Sequence, residues 1–272
     1  MKKVVAICLS ILFVLSLTVG CAPKTEAPKT KLEQIKEAGV LVVGTSPDYA
    51  PYEFIVAGAE GQMEYKGIDM EIAKVIAADL GVELKIEAMD FNGLDSALQM
   101  GTIDMILAAY NATEERAEVM SFTDVYYIDE VVAVVLADGA DAYTGLDSFN
   151  GKKVGVQLGS TLQTDYFPQL TGASEVALKK VTQLITELKA GALDGILVEK
   201  PIAESYIANN PELTISAVSF DTGAAGYVAG LPKDAPELLE AVNASLKKLV
   251  DSNAIATFAE EAQDIQDQAI ME

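Results

Sequence analysis

Leu98-Gln-Met-Gly101-Thr-Ile-Asp104-Met-Ile106-Leu107 and Leu188-Lys-Ala-Gly191-Ala-Leu-Asp194-Gly-Ile196-Leu197 carry Leu, Gly, Asp, Ile and Leu in the same register. Each stretch reads as a helix stopped by a glycine, which adopts the left-handed backbone of a helix end at little cost, followed at once by a buried strand. A second echo lies upstream of each, where Val43-Gly44 and Val154-Gly155 sit on strands that lead into a loop and then a helix. Glycine caps are common, so chance could supply either echo alone. Together they predict two similar α/β lobes with a cleft between them, a preferred place for a small ligand.

On either side of these stretches, strand and helix patterns alternate. Val40–Val43 is a short apolar run ending at Gly44, and Ile68–Leu80 sets Ile72, Val75, Ile76 and Leu80 on one helical face before Gly81. Strands are expected at 83–89, 105–109, 153–156, 196–198 and 213–217, and helices at 94–100, 182–190 and 201–208. Pro236 opens a last helix with Leu239, Val242, Leu246, Leu249 and Val250 on one side. This alternation predicts α/β layering with mostly parallel sheets.

Composition narrows the chemistry. The 272 residues include 41 acidic and 19 basic side chains, no His, no Trp and two Cys. Without His there is no Ser-His-Asp or Cys-His apparatus and no His-containing metal site, so neither a metal nor a cofactor is expected. A formal charge of −22 opposes binding to nucleic acid or bare anionic membrane. The hydrophobic content of 50% describes a cored globular protein rather than an acidic tail.

The N-terminus reads as an export signal over residues 1–20. Lys2 and Lys3 precede the apolar run Val4–Val19, which is too short for a comfortable membrane span. The run ends in Leu17-Thr-Val-Gly-Cys21, which resembles the lipobox of bacterial lipoproteins; Thr18 departs from the usual Leu or Val. The alternative is a soluble secreted chain cleaved nearby. Lipidation of Cys21 by two acyl chains would anchor the protein firmly. Residues 21–31 then form a tether built on a repeated Ala-Pro-Lys-Thr, extending by about 3.1 Å per residue.

Arg116 is the sole arginine among the 19 basic residues. A chain that uses Lys everywhere else needs the planar bidentate fork at that one place, and a carboxylate fits such a fork. The alternative is a surface arginine on a helix over 113–119 paired with Glu114, Glu115 or Glu118. Gly159-Ser160-Thr161 lies where a strand turns into a helix, so backbone N–H groups there could favour an anion, unless Ser or Thr is a plain helix cap.

Five stretches, in order and spacing, carry a resemblance to a known family. They are Gly39-Val-Leu-Val-Val-Gly-Thr-Ser-Pro-Asp-Tyr-Ala-Pro-Tyr-Glu-Phe54, Gly67-Ile-Asp-Met-Glu-Ile-Ala-Lys74, Ala112-Thr-Glu-Glu-Arg-Ala117 with Ser121-Phe-Thr123 and Tyr126-Tyr127, Gly155-Val-Gln-Leu-Gly-Ser-Thr161, and Asp194–Pro201. The chain resembles the extracellular solute-binding proteins of polar amino-acid ABC transporters, family 3, over essentially all of the expected mature protein. The resemblance implies a two-lobe Venus-flytrap of the periplasmic-binding-protein-like type II class, with lobe 1 formed by 32–129 plus 222–272 and lobe 2 by 130–221.

It also implies the site. Arg116 and Thr161, with Ser160, would hold a ligand carboxylate. The ammonium would meet Glu199, where the family has Asp, with Asn111 and the carbonyl of Ala109 beside it. Tyr49 and Phe91 would sandwich the ligand, with Tyr110 and Gln157 nearby. Ser46 stands where relatives that bind basic amino acids often carry an acid, which argues for a neutral polar ligand such as glutamine, asparagine or cystine; Asp48 is an alternative acid. The implied function is an extracytoplasmic, lipid-anchored monomer that delivers a free amino acid to ABC permease subunits and performs no catalysis. The alternatives are a cyclohexadienyl dehydratase-like enzyme with Glu199 as general acid, and a sensor module.

Overall fold

A computed structural model describes residues 28–58, 62–221 and 226–271. The export signal and the expected lipidation site Cys21 lie outside the described residues. The first helix, α1 (Lys31–Ala38), opens on a capping box in which Thr30 accepts from the Glu33 N–H and the Glu33 carboxylate accepts from the Thr30 N–H. Lys31, expected in the tether, is therefore the first residue of this helix, and it pairs with Asp104 at 2.6 Å.

Two five-stranded sheets follow. The first joins β1 (Val40–Thr45), β4 (Glu83–Ala88), β5 (Met105–Ile106), β6 (Met120–Phe122) and β12 (Gly230–Pro232), in the order β4-β1-β5-β12-β6. The second joins β7 (Val131–Leu136), β8 (Lys153–Gln157), β9 (Ser174–Leu178), β10 (Gly195–Glu199) and β11 (Leu213–Ile215), in the order β11-β7-β10-β8-β9. A hairpin of β2 (Phe54–Ala57) and β3 (Met63–Lys66) projects from the first lobe. The remaining helices are α2 (Ile68–Leu80), α3 (Leu94–Gln99), α4 (Glu114–Val119), α5 (Val181–Lys189), α6 (Lys200–Ala208), α7 (Pro236–Asp251) and α8 (Ala254–Met271).

The sheets are mixed rather than uniformly parallel. One strand in each runs against the other four: β12 is antiparallel to β5 and β6, and β7 to β10 and β11. Both are the first strand after the chain crosses between lobes, so no helix carries them over in the βαβ manner that enforces parallel pairing. The two crossings are tied to each other, since the Tyr126 N–H donates to the Tyr227 carbonyl at 2.9 Å and the Tyr227 N–H to the Tyr127 carbonyl at 2.7 Å.

The repeated stretches occupy equivalent places. Gly101 and Gly191 take φ of 71° and 70° after α3 and α5. The Asp104 carboxylate accepts from the Val42 N–H at 2.8 Å and the Asp194 carboxylate from the Lys153 N–H at 2.8 Å, each tying a strand to its neighbour. Gly44 lies opposite Ile106 and Gly155 opposite Ile196. A Cβ on Gly44 would meet Ile103 at 2.4 Å, and one on Gly155 would meet Leu193 at 2.7 Å, so both glycines admit a helix-loop side chain onto the strand.

The α7 face holds the expected Val242, Leu246 and Leu249, with Leu238 and Ser245 in place of Leu239 and Val250. Leu238, Val242, Leu246 and Leu249 are buried with Ser245, whose hydroxyl donates to Asp79 on α2; Leu239 is half-buried and Val250 exposed.

Candidate functional site

Parallel α/β sheets present ligands to the loops at the carboxyl ends of their strands. Here the loops after β1, β5, β8 and β10 converge on the cleft, and these are the segments that carry Ser46–Glu53, Ala109–Asn111, Gly159–Thr161 and Glu199.

Arg116 is 7% exposed, although it lies on α4 among acidic surface residues. Its Nη1 donates to the Asn111 carbonyl at 2.8 Å, and its Nη2 reaches across the cleft to the Gly159 carbonyl at 2.9 Å. The guanidinium lies 4.1 Å from the Tyr110 ring centroid and 5.6 Å from that of Phe91, a cation–π setting that holds the fork flat. Its ionic partner is Asp95 at 3.6 Å, not Glu114, Glu115 or Glu118. Thr161 donates from the second lobe to the Asn111 side-chain carbonyl at 3.0 Å. Around these groups lies a groove of about 430 Å³ lined by Asp95, Thr113, Arg116, Ser160, Thr161 and Thr164, among others.

The helix expected after Thr161 is a five-residue π-type turn, Leu162–Tyr166, followed by a 3-10 turn. Pro168 lacks an N–H and cannot continue the ladder. The Gly159 N–H is taken by the Gln163 side chain at 2.8 Å, and the Ser160 hydroxyl donates to the Gln157 carbonyl at 2.7 Å. The loop therefore presents side chains to the cleft rather than the free N–H row of a regular helix start.

Thr161 also borders a second, inner space of about 10 Å³ shared with Asn111, Asp129, Glu199 and Tyr227, room for about one water. The space is too small for an amino acid in this arrangement of the lobes. Glu199, the expected ammonium acceptor, is 6% exposed and accepts a hydrogen bond from the Tyr49 hydroxyl of the opposite lobe. Burial pushes its carboxyl up to about 7 against that hydrogen bond. Tyr49, expected to stack on a ligand, is engaged here through its hydroxyl, while Phe91 packs beside both Arg116 and Tyr110, which lie closer to each other than either does to it.

Glu53, in the segment after β1, is a buried acid that the sequence does not single out. It is 1% exposed, and neither carboxylate oxygen has a hydrogen-bond partner. Burial and the negative charges of Asp69, Asp48 and Glu199 push its carboxyl well above the usual carboxylate range. Its one signal in the sequence is that of a lone acid in the otherwise apolar Ala50-Pro-Tyr-Glu-Phe-Ile-Val run. Two other groups, the Thr45 hydroxyl and the Gln157 Nε2, are likewise buried without a partner. Asp69 plays a structural part, accepting from the Ala109 N–H at 2.8 Å and the Tyr126 hydroxyl at 2.8 Å and so fixing Ala109 at φ 45°. Burial pushes its carboxyl to about 7. Ser46 donates to Asp48 at 3.0 Å, and Asp48 turns to the opposite lobe.

The model of the bacterial extracellular solute-binding proteins, family 3, matches residues 41–261, most of the chain. The chain belongs to that family. This family 3 protein is 33% identical over 220 residues to the arginine-binding extracellular protein ArtP of Bacillus subtilis, covering 79% of this chain and 82% of that one. It is 32% identical to a probable histidine-binding protein of Campylobacter jejuni, covering 71% and 73% of the two chains. Its fold matches an amino-acid ABC transporter substrate-binding protein of Streptococcus pneumoniae bound to L-arginine, with a TM-score of 0.84, 32% identity and coverage of 87% and 98%. Among the described residues of this family 3 protein, no helix is long and apolar enough to cross a membrane, and no group of three His, Cys, Asp or Glu side chains is arranged to hold a metal.

Proposed function

We propose that this extracellular solute-binding protein carries a free amino acid with a cationic side chain, arginine or lysine, as the binding subunit of an ABC importer. The observation that supports the cationic reading is Glu53, a buried carboxylate with no partner for either oxygen and three more carboxylates acting on it, among them Glu199 of the inner space. A buried carboxylate left alone is costly, and a ligand cation removes that cost. The acid missing at Ser46 is thereby supplied at Glu53, which turns the preference from a neutral polar ligand to a basic one. The arginine-binding relatives agree with this reading.

In the mechanism, Arg116 with Thr161 holds the α-carboxylate, and Glu199 with Asn111 and the Ala109 carbonyl holds the α-ammonium. Phe91 and Tyr49 flank the ligand stem, with Ser46, Ser160 and Gln157 completing the wall. Arg116 and Thr161 come from different lobes, so a ligand held by both favours the closed arrangement by its differential affinity. The closed lobes are what permease subunits would recognise. A lipid anchor at Cys21 would keep this monomeric carrier beside them.

Calorimetry with the twenty amino acids and cystine tests the assignment. Arginine or lysine should bind, and glutamine should bind far more weakly. Tight glutamine or cystine binding without arginine binding would refute the cationic reading. Turnover of arogenate or prephenate would point instead to Glu199 as a general acid.

A further inference from the structure

Helix α5 carries no cap of its own. Its N-cap residue is Lys180, whose side chain makes no capping hydrogen bond, whereas Thr30 and Thr113 cap α1 and α4 from within their own segments. The first N–H groups of a helix have no intrahelical partner. For α5 the partner comes from the other lobe: the Val181 N–H donates to Asp48 Oδ2 at 2.6 Å. Lys180 Nζ stands 3.8 Å from Asp48 Oδ1 and 3.4 Å from Asp90 Oδ1, and Lys179 Nζ stands 3.0 Å from Asp90 Oδ2. On α6, also in the second lobe, the Tyr206 hydroxyl donates to the Asp48 backbone carbonyl at 3.1 Å.

Asp48 is thus engaged on both oxygens by Val181, Ser46 and Lys180, and its side chain is nearly buried, 8% exposed. An Asp at a helix N-terminus is favoured by the helix dipole and by the free N–H groups. When the lobes part, α5 loses this cap and its N–H turns to water. We propose that Asp48 is a closure latch, a cap supplied in trans to α5 that holds the lobes together without touching the ligand and so sets how long the ligand stays. This positioning role rests on the reading that the cleft closes around an amino acid.

The test uses the full chain and four variants: Asp48→Ala, Asp48→Asn, Val181→Pro and the double Asp48→Ala/Val181→Pro. Val181→Pro removes the donor alone. Proline suits the first helical position, and Lys180, at φ −118° and ψ 133°, already has the extended backbone that a residue before proline adopts. The radius of gyration from solution scattering without added amino acid, and the release rate of arginine by stopped flow, are measured for each. Asp48→Ala and Val181→Pro should each raise the radius of gyration and speed release on the order of tenfold, the loss of one charge-assisted hydrogen bond. The double variant should do no more than the larger single one, because both remove the same contact. Asp48→Asn, which keeps an acceptor oxygen for the Val181 N–H but loses the charge that faces Lys180, should fall between wild type and Asp48→Ala.

Additive effects, an unchanged radius of gyration, or Asp48→Asn behaving like Asp48→Ala would overturn the latch. If Val181→Pro does not fold, the contrast between Asp48→Ala and Asp48→Asn still decides. If the wild type binds no arginine, the functional reading fails, while the scattering arm still judges the latch.

Discussion

Replacing Glu53 by glutamine should move affinity and ligand-free stability in opposite directions. Glutamine keeps the size of the side chain and removes its charge. At an effective dielectric of ~20, two unit charges about 4 Å apart interact by about 4 kcal/mol. Asp69 and Glu199 remain to screen part of that loss, so arginine binding should weaken by about 2–3 kcal/mol, on the order of 30- to 150-fold.

Stability without ligand behaves differently. Burial and the acids around Glu53 raise its folded pKa above its unfolded value, so between those two values the folded chain binds more protons than the unfolded one. Stability then falls as pH rises from the ordinary glutamate range toward neutrality and above. Glu53→Gln removes this dependence. Its melting temperature relative to wild type should therefore climb steadily from pH 5 to pH 8, while saturating arginine should stabilise the wild type at pH 8 far more than the variant. Thermal unfolding by circular dichroism and calorimetric titration at both pH values read the two effects. A melting-temperature difference that stays flat with pH, or an arginine Kd within about threefold of wild type, would refute the placement of a ligand cation beside Glu53.

Other substitutions probe the remaining contacts. Arg116→Lys keeps the charge but cannot reach the Asn111 and Gly159 carbonyls with one planar fork, so affinity should fall by about 1.5–3 kcal/mol, with loss of ligand-induced thermal stabilisation; wild-type affinity would sink the carboxylate assignment. Gly159 takes φ 81°, and a Cβ there would meet Asn92 of the other lobe at 3.0 Å. Gly159→Ala should therefore hold the cleft open, raising the radius of gyration with arginine present. Thr30→Ala removes the capping box of α1 and should cost about 1 kcal/mol, seen as a melting temperature lower by about 2–4 °C with unchanged arginine affinity.

Much of the architecture is legible in the sequence because it repeats. Glycine stops, buried strand runs and the aspartates after them are local signals, and Asp104 and Asp194 make the same strand-tying bond in the two lobes. Other elements carry no such signal. The reversed strands β7 and β12 follow crossings with no helix, and the hairpin β2–β3 and the helix α8 gain their definition from what they pack against. The π-type turn after Thr161 has the sequence signature of a helix start, and the residue that stops the helix, Pro168, lies beyond the turn.

At the site, the uniqueness of Arg116 is readable from the sequence, since choosing a planar fork once among 19 basic residues is a chemical statement independent of geometry. The roles of the acids are not. Asp48, Glu53, Asp69 and Glu199 are the same kind of side chain on paper, yet one caps a helix in trans, one stands unpartnered, one fixes Ala109 and one meets Tyr49 across the cleft. A carboxylate's chemistry is set by how far it is desolvated and by which charges and donors lie within a few ångströms. Local patterns along the chain therefore specify two lobes and a single planar fork, whereas the part each acid plays belongs to the folded molecule, because only folding sets burial and distance.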